Sequence, residues 1–167
     1  MDLRIFHSDL GAVTDWGQGP RRSAIGPAGI GAKSSEGDGV TPRGSFALRR
    51  VFYRPDRLSP PATHLPLQAL KQSDGWCDAP DDPFYNCLVR LPYPASAEHL
   101  WREDHVYDLI AVIGFNDQPV IAGKGSAIFL HLAKPDFAPT AGCVALEQKD
   151  LLEALAQFRP EDRVRIG

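Results

Sequence analysis

Cysteine is scarce in this chain: there are three among 167 residues, Cys77, Cys87 and Cys143, an odd number without the spacing of a disulfide framework. They read as reduced thiols, with a Cys77–Cys87 bridge the one pairing left open. No Cys-x-x-Cys or comparable ligand spacing occurs, so neither a metal nor another cofactor is expected. Blocks of like charge are also missing. With 18 Lys and Arg against 21 Asp and Glu the formal net charge is −3, which argues against nucleic acid or an anionic membrane surface as partner. A small charged peptide is compatible with that balance. The opening residues, Met1-Asp-Leu-Arg-Ile-Phe-His-Ser-Asp9, hold no apolar run of signal-peptide length, so a cytoplasmic location is expected. No repeat, low-complexity tract or linker divides the chain. A length of 167 residues with 43% hydrophobic composition suits one domain, residues 1–167, with a substantial core.

Turn formers are plentiful, with fifteen glycines and fifteen prolines. Between them, Leu3 to Phe6, Phe46 to Tyr53, Tyr107 to Phe115, Val120 to Ala122, Ile128 to His131 and Arg163 to Ile166 read as strands rich in β-branched or aromatic residues. Leu151, Leu152, Leu155 and Phe158 place one apolar face on a helix over Gln148 to Phe158, and Glu98 to Arg102 reads as a second, short helix after Ser96. The fold class is therefore mostly β with a few helices. Residues 54 to 100, interrupted by Pro60-Pro61, Asp78-Ala-Pro-Asp-Asp-Pro83 and Pro92-Tyr-Pro94, read as a long irregular insertion. It is a candidate lid, in which Trp76, Phe84, Tyr85 and Trp101 would cover a peptide while Asn86 or Asp78 meets its polar groups.

The chemistry concentrates in Ile128-Phe-Leu-His131 and, twelve positions after that histidine, Cys143 in Thr140-Ala-Gly-Cys-Val-Ala-Leu146. A thiol is mostly protonated at neutral pH, so a nucleophilic cysteine needs an imidazole to take its proton. His131, at the end of an apolar strand, is the candidate base. Gly142 removes a side chain where a substrate carbonyl approaches, and backbone N–H groups of Gly142 and Val144 are candidate oxyanion donors. Cys143 is also expected just upstream of a helix, whose N-terminal dipoles favour a thiolate when close. A backbone carbonyl or Ser126 would orient the second imidazole nitrogen.

These residues resemble the L,D-transpeptidase (YkuD-like) catalytic domain, whose signature is a His followed, after a variable loop, by Ser/Thr-x-Gly-Cys and a hydrophobic residue: here His131, Thr140, Gly142, Cys143 and Val144. Glu36-Gly-Asp-Gly-Val-Thr-Pro-Arg-Gly-Ser-Phe46 is similar to the family's Thr-Pro-x-Gly-x-Phe/Tyr segment. Asp74 to Asn86, His105-Val-Tyr-Asp108, Gly114-Phe-Asn116 and Gly123 to His131 resemble a compact bacterial branch, so the likeness runs from about residue 20 to the C-terminus. It implies a β-sandwich of mixed sheets with a helix after the catalytic cysteine. Two positions depart from the pattern. Ala141 stands where many members have His, and Ala145 stands where many have Arg. If that Arg meets a substrate carboxylate, Arg90, Arg102 and Lys124 are the candidates to replace it.

The resemblance implies peptidoglycan stem peptides or muropeptides as partners and a cysteine acyl-enzyme mechanism open to penems as covalent inhibitors. Combined with the expected cytoplasmic location, it favours an L,D-carboxypeptidase that trims muropeptide tetrapeptides during cell-wall recycling. The alternatives are an L,D-transpeptidase that cross-links or exchanges D-amino acids, and a non-catalytic muropeptide-binding module. The candidate substrate contacts are Trp76, Tyr85, Asn86, Arg102, Lys124 and Thr140.

Overall fold

The computed structural model describes residues 1–167. In chain order the strands are β1 (Leu3–Ser8), β2 (Gly11–Asp15), β3 (Arg21–Ala24), β4 (Ile30–Gly31), β5 (Thr41–Pro42), β6 (Gly44–Phe46), β7 (Leu48–Tyr53) and β8 (Leu67–Ala69). They continue with β9 (Asp74–Cys77), β10 (Leu88–Arg90), β11 (Ala97–His99), β12 (Leu109–Ile113), β13 (Phe129–Leu132), β14 (Val144–Leu146) and β15 (Val164–Ile166), with one helix, α1 (Gln148–Gln157), before the last. Ten strands form a mixed sheet in the order β6-β15-β1-β2-β3-β14-β13-β12-β7-β8. A three-stranded sheet, β10-β9-β11, and the pair β4-β5 complete the β structure.

Every residue of β12, β13 and β14 is buried, because hydrophobic layers cover both faces of the sheet's middle. The two-residue alternation of a strand sorts their side chains between those layers. Leu109, Ala111, Ile113, Leu130, Leu132, Val144 and Leu146 face the larger core, which α1 closes with Leu151, Ala154, Leu155 and Phe158. Ile110, Val112, Phe129 and Cys143 face the smaller core, which the three-stranded sheet and its flanks close with Leu70, Trp76 and Leu100. The nucleophile candidate thus belongs to the layer under the small sheet.

Most expected strands are present, and the helix over Gln148 to Phe158 forms as α1. Several readings are corrected. Glu98 is not helical: it lies in β11, opposite Trp76 of β9, where sheet pairing outweighs a weak local helix signal. Val120 to Ala122 form no strand, because the Asn116 side chain occupies the backbone of Ile121, accepting its N–H at 2.9 Å and donating to its carbonyl at 3.0 Å. Residues 54 to 100 are not irregular throughout, since they supply β8 to the large sheet and all of the small one. There is a single helix rather than a few, and β14 stands between Cys143 and its first turn, so the helix N-terminus does not adjoin the thiol. All three cysteines are free. No helix is long and apolar enough to cross a membrane.

Candidate active site

β13 and β14 run parallel with Leu130 opposite Val144 and His131 opposite Ala145. Continued by one residue, this register sets Cys143 beside Phe129, whose N–H donates to Sγ at 3.4 Å. Strand alternation then puts Phe129, His131, Cys143 and Ala145 on one face. His131 and Cys143 line the same cavity of about 450 Å³, together with Ala145 and residues 138 to 141 of the connecting loop. The two do not hydrogen bond to each other in the free chain, where the thiol donates to the Ala127 carbonyl at 3.2 Å. Nδ1 of His131 lies 3.0 Å from the Leu132 carbonyl. Only a protonated Nδ1 bonds a carbonyl, so this contact leaves Nε2 with the lone pair that a base requires.

The loop before the thiol is held by tight backbone packing. Gly142 has φ of +136°, and a Cβ there would lie 2.8 Å from the Val40 carbonyl. Gly26 packs equally closely, its missing Cβ falling 3.2 Å from the Gly142 Cα, while Thr41 accepts the Gly26 N–H at 2.9 Å. The Thr41-Pro42 segment, distant in sequence, thus packs behind the loop that carries Cys143. Thr140, on the cavity wall, braces this loop. Its hydroxyl donates to the Cys143 carbonyl at 2.6 Å and accepts the Gly142 N–H at 3.1 Å. The Gly142 N–H is therefore spent, and neither Gly142 nor Val144 lines the cavity. The N–H groups of Ala141 and Cys143 itself make no intramolecular hydrogen bond, and both residues line it.

Ala127, whose carbonyl faces the thiol, adopts φ of +53°, a strained left-handed conformation for a residue with a Cβ. Asn86 holds it there. The Asn86 Oδ1 accepts the Ala127 N–H at 3.1 Å and the Trp76 indole N–H at 3.0 Å, while Nδ2 donates to the carbonyls of Phe115 and Asn116. Tyr85 acts alongside, its hydroxyl accepting the Gly125 N–H at 2.9 Å and donating to Glu36. Trp76, Tyr85 and Asn86 do not line the thiol cavity; they fix the 125–127 turn that forms its floor. Of the segment expected as a lid, Asp78 and Glu98 do reach the cavity. Phe84 points to solvent at 57% exposure, and Trp101 stacks under the Arg54 guanidinium.

Among the candidate cations, Arg90 and Lys124 are exposed and away from the cavity. Arg102 lines it, but its guanidinium is bidentate to Asp104 at 2.8 and 2.5 Å and lies over the Tyr107 ring. Lys134, unnoticed in the sequence, lines the cavity with no ion-pair partner, three residues beyond His131. Ser126 also lines the cavity but does not orient the imidazole, which the Leu132 carbonyl does.

Burial governs the electrostatics. Desolvation lowers the His131 pKa to about 4, with Arg102 and Lys134 adding repulsion. Desolvation pushes the Cys143 thiol up to about 12, and the Glu98 carboxylate raises it further, against weaker help from the Phe129 N–H and Lys33. The resting pair is thus a neutral thiol and a neutral imidazole, not a thiolate–imidazolium pair. No group of three or more His, Cys, Asp or Glu side chains is arranged to hold a metal ion.

The YkuD profile, described as the L,D-transpeptidase catalytic domain, matches residues 12–166. Among curated proteins and among solved structures nothing matches the chain.

Two outcomes follow from this geometry. Alkylation of Cys143 by iodoacetamide tracks its thiolate, so the rate should keep rising with pH well beyond 9, the ordinary thiol value. A plateau near pH 9, read by mass spectrometry of the Cys143 peptide, would contradict the buried neutral thiol. Gly142→Ala should cost about 1–3 kcal/mol in urea unfolding from backbone strain and displacement of the Val40 carbonyl, and should slow penem acylation of Cys143 more than it lowers stability alone explains.

Proposed function

Because the chain belongs to the L,D-transpeptidase catalytic domain family, cysteine enzymes acting on peptidoglycan stem peptides, we propose that it is an L,D-carboxypeptidase. It removes the terminal D-alanine from soluble muropeptide tetrapeptides, in the cytoplasm, as part of cell-wall recycling. The observation that carries this reading is the single cavity holding a thiol with its own unpaired N–H, an imidazole with a free Nε2, and an unpaired cation on the imidazole side. A volume of about 450 Å³ suits one short peptide. A transpeptidase must admit a second stem peptide as acceptor, whereas hydrolysis needs only water.

The mechanism starts from the neutral pair. Substrate entry draws the thiol proton away from the Ala127 carbonyl and toward Nε2, and Sγ attacks the carbonyl of the L-configured residue as His131 takes that proton. Attack and proton transfer are concerted here, since a free thiolate at this depth is costly. The N–H groups of Cys143 and Ala141 receive the oxyanion, replacing the Gly142 and Val144 donors expected from the sequence. Imidazolium then protonates the departing amine, D-alanine leaves, and water activated by the same Nε2 resolves the thioester. Lys134 meets the carboxylate of the D-residue, the task that an Arg at position 145 would otherwise serve. Ala145 sits opposite His131 on the same cavity wall, so an Arg there would reach the same region.

Purified protein incubated with a soluble tetrapeptide should release free D-alanine and the tripeptide, detected by mass spectrometry, and Cys143→Ala should abolish the release. Only cross-linked or D-amino-acid-exchanged products would establish transpeptidation instead, and undiminished ligand binding with no turnover by the wild type would leave a binding module. Lys134→Ala should raise KM for the tetrapeptide by about tenfold with a smaller change in kcat, the loss of one charge-assisted contact.

A further inference from the structure

Lysine is seldom enclosed in a protein unless it is paired, yet the Lys33 side chain, on the loop between β4 and β5, is only 3% exposed. That loop winds around the Asp38 carboxylate. Asp38 accepts the N–H groups of Ser34, Ser35 and Val40 at 3.0, 3.3 and 3.0 Å and the Lys33 ammonium at 2.6 Å. Burial raises the Asp38 pKa, but these donors outweigh it and hold the carboxyl well below the usual carboxylate range. Asp38 is therefore ionised at neutral pH, and its charge compensates the buried ammonium.

Two glycines make room for that ammonium at the nucleophile. A Cβ on Gly125 would lie 2.6 Å from Lys33 Cε, and one on Gly142 would lie 3.6 Å from Nζ. Gly125 stands in the turn that ends on the Ala127 carbonyl, and Gly142 immediately precedes Cys143. Lys33 also donates to the Val40 carbonyl at 3.4 Å, the group packed against Gly142.

Seen from the sulfur, the ion pair is not neutral. Lys33 lines the thiol cavity and Asp38 does not, so the pair presents its positive end to the site. The titratable groups that share this cavity with Cys143 include Glu98 on β11, Tyr107 ahead of β12 and His131 on β13, and Glu36, Asp78, Arg102 and Lys134 complete its charged wall. Desolvation and then Glu98 oppose ionisation of the thiol, while Lys33 favours it.

We propose that Lys33 is a positioning residue for the nucleophile: its buried ammonium, held by Asp38, stabilises the negative charge that develops on Sγ as the thiol proton passes to Nε2 of His131. The proposal rests on the cysteine acyl-transfer reading and adds to it a source of positive charge that needs no contact with substrate.

The test is the rate at which iodoacetamide alkylates Cys143, read by mass spectrometry of its peptide, since this reaction needs a thiolate but no substrate. Lys33→Met keeps the apolar stem and removes the charge. Below the thiol pKa it should slow alkylation by about tenfold, a rise of about one pKa unit. Lys33→Met combined with Asp38→Asn removes both charges, and should still react more slowly than the wild type with a smaller loss of stability than the single change. The direction separates charge from support, because a loop merely loosened would expose the buried sulfur and speed the reaction. Unchanged or faster alkylation in either folded variant overturns the proposal. Loss of the fold in both variants also overturns it, by assigning Lys33 to structure alone. With the tetrapeptide, kcat for D-alanine release should fall along with the alkylation rate while KM stays; an effect on KM alone would make Lys33 a substrate contact and reject the role. If the wild type releases no D-alanine, the carboxypeptidase reading fails, whereas slowed alkylation in the variants would still establish the action of Lys33 on the sulfur.

Discussion

The parallel pairing of β13 with β14 is the constraint from which the site follows. Its register sets His131 against Ala145 and Cys143 beside Phe129, so two residues distant in sequence share one face of a strand pair that is buried on both sides. A slip of one residue would turn the thiol into the opposite core, among Leu130, Val144 and Leu146. That register is fixed by the large apolar residues filling each side, not by polar contacts at the site. The placement of this candidate pair is therefore a by-product of packing, and the loop from Ala133 to Gly142 only closes the connection.

Around this pair the polar network does two separate jobs. Asn86, Trp76 and Tyr85 stabilise a strained turn at Ala127, which keeps a carbonyl aimed at the thiol. The ionised groups do something different. Charges of both signs line the cavity, Lys33, Arg102 and Lys134 with Glu36, Asp78 and Glu98, and Tyr107 makes edge contact with His131 at 5.4 Å. Rigid support comes from neutral amides and hydroxyls, whereas two of the cations are held by carboxylates, Arg102 by Asp104 and Lys33 by Asp38, and Lys134 is unpaired.

Much of this was legible in the sequence, for identifiable reasons. His131 and Cys143 stand in motifs whose residue types have few other uses together, and α1 and the central strands announce themselves by apolar periodicity. The β-rich architecture follows from the same patterns. What escaped was the set of residues whose role depends on tertiary neighbours. Glu98 looks like a helix start because Ser96 precedes it, yet β9 offers it a strand partner. Trp76, Tyr85 and Asn86 look like ligand contacts because they are aromatic or amide residues in a long segment, yet they turn inward to the floor of the site. Lys134 carries no motif; only the reversal of the chain after β13 brings it back over the cavity. The sequence also does not reveal that the Thr140 hydroxyl already occupies the Gly142 N–H.

The resting position of Sγ, between the Phe129 N–H and the Ala127 carbonyl and almost wholly out of solvent, bears on the lifetime of the protein as well as on its chemistry. Peroxide and other oxidants consume cysteine chiefly through its anion, and the ladder from sulfenic to sulfonic acid begins there. A sulfur parked as a neutral donor presents little of that species between turnovers. The arrangement that makes the nucleophile slow to ionise thus also shelters it from oxidative inactivation while it waits for a peptide.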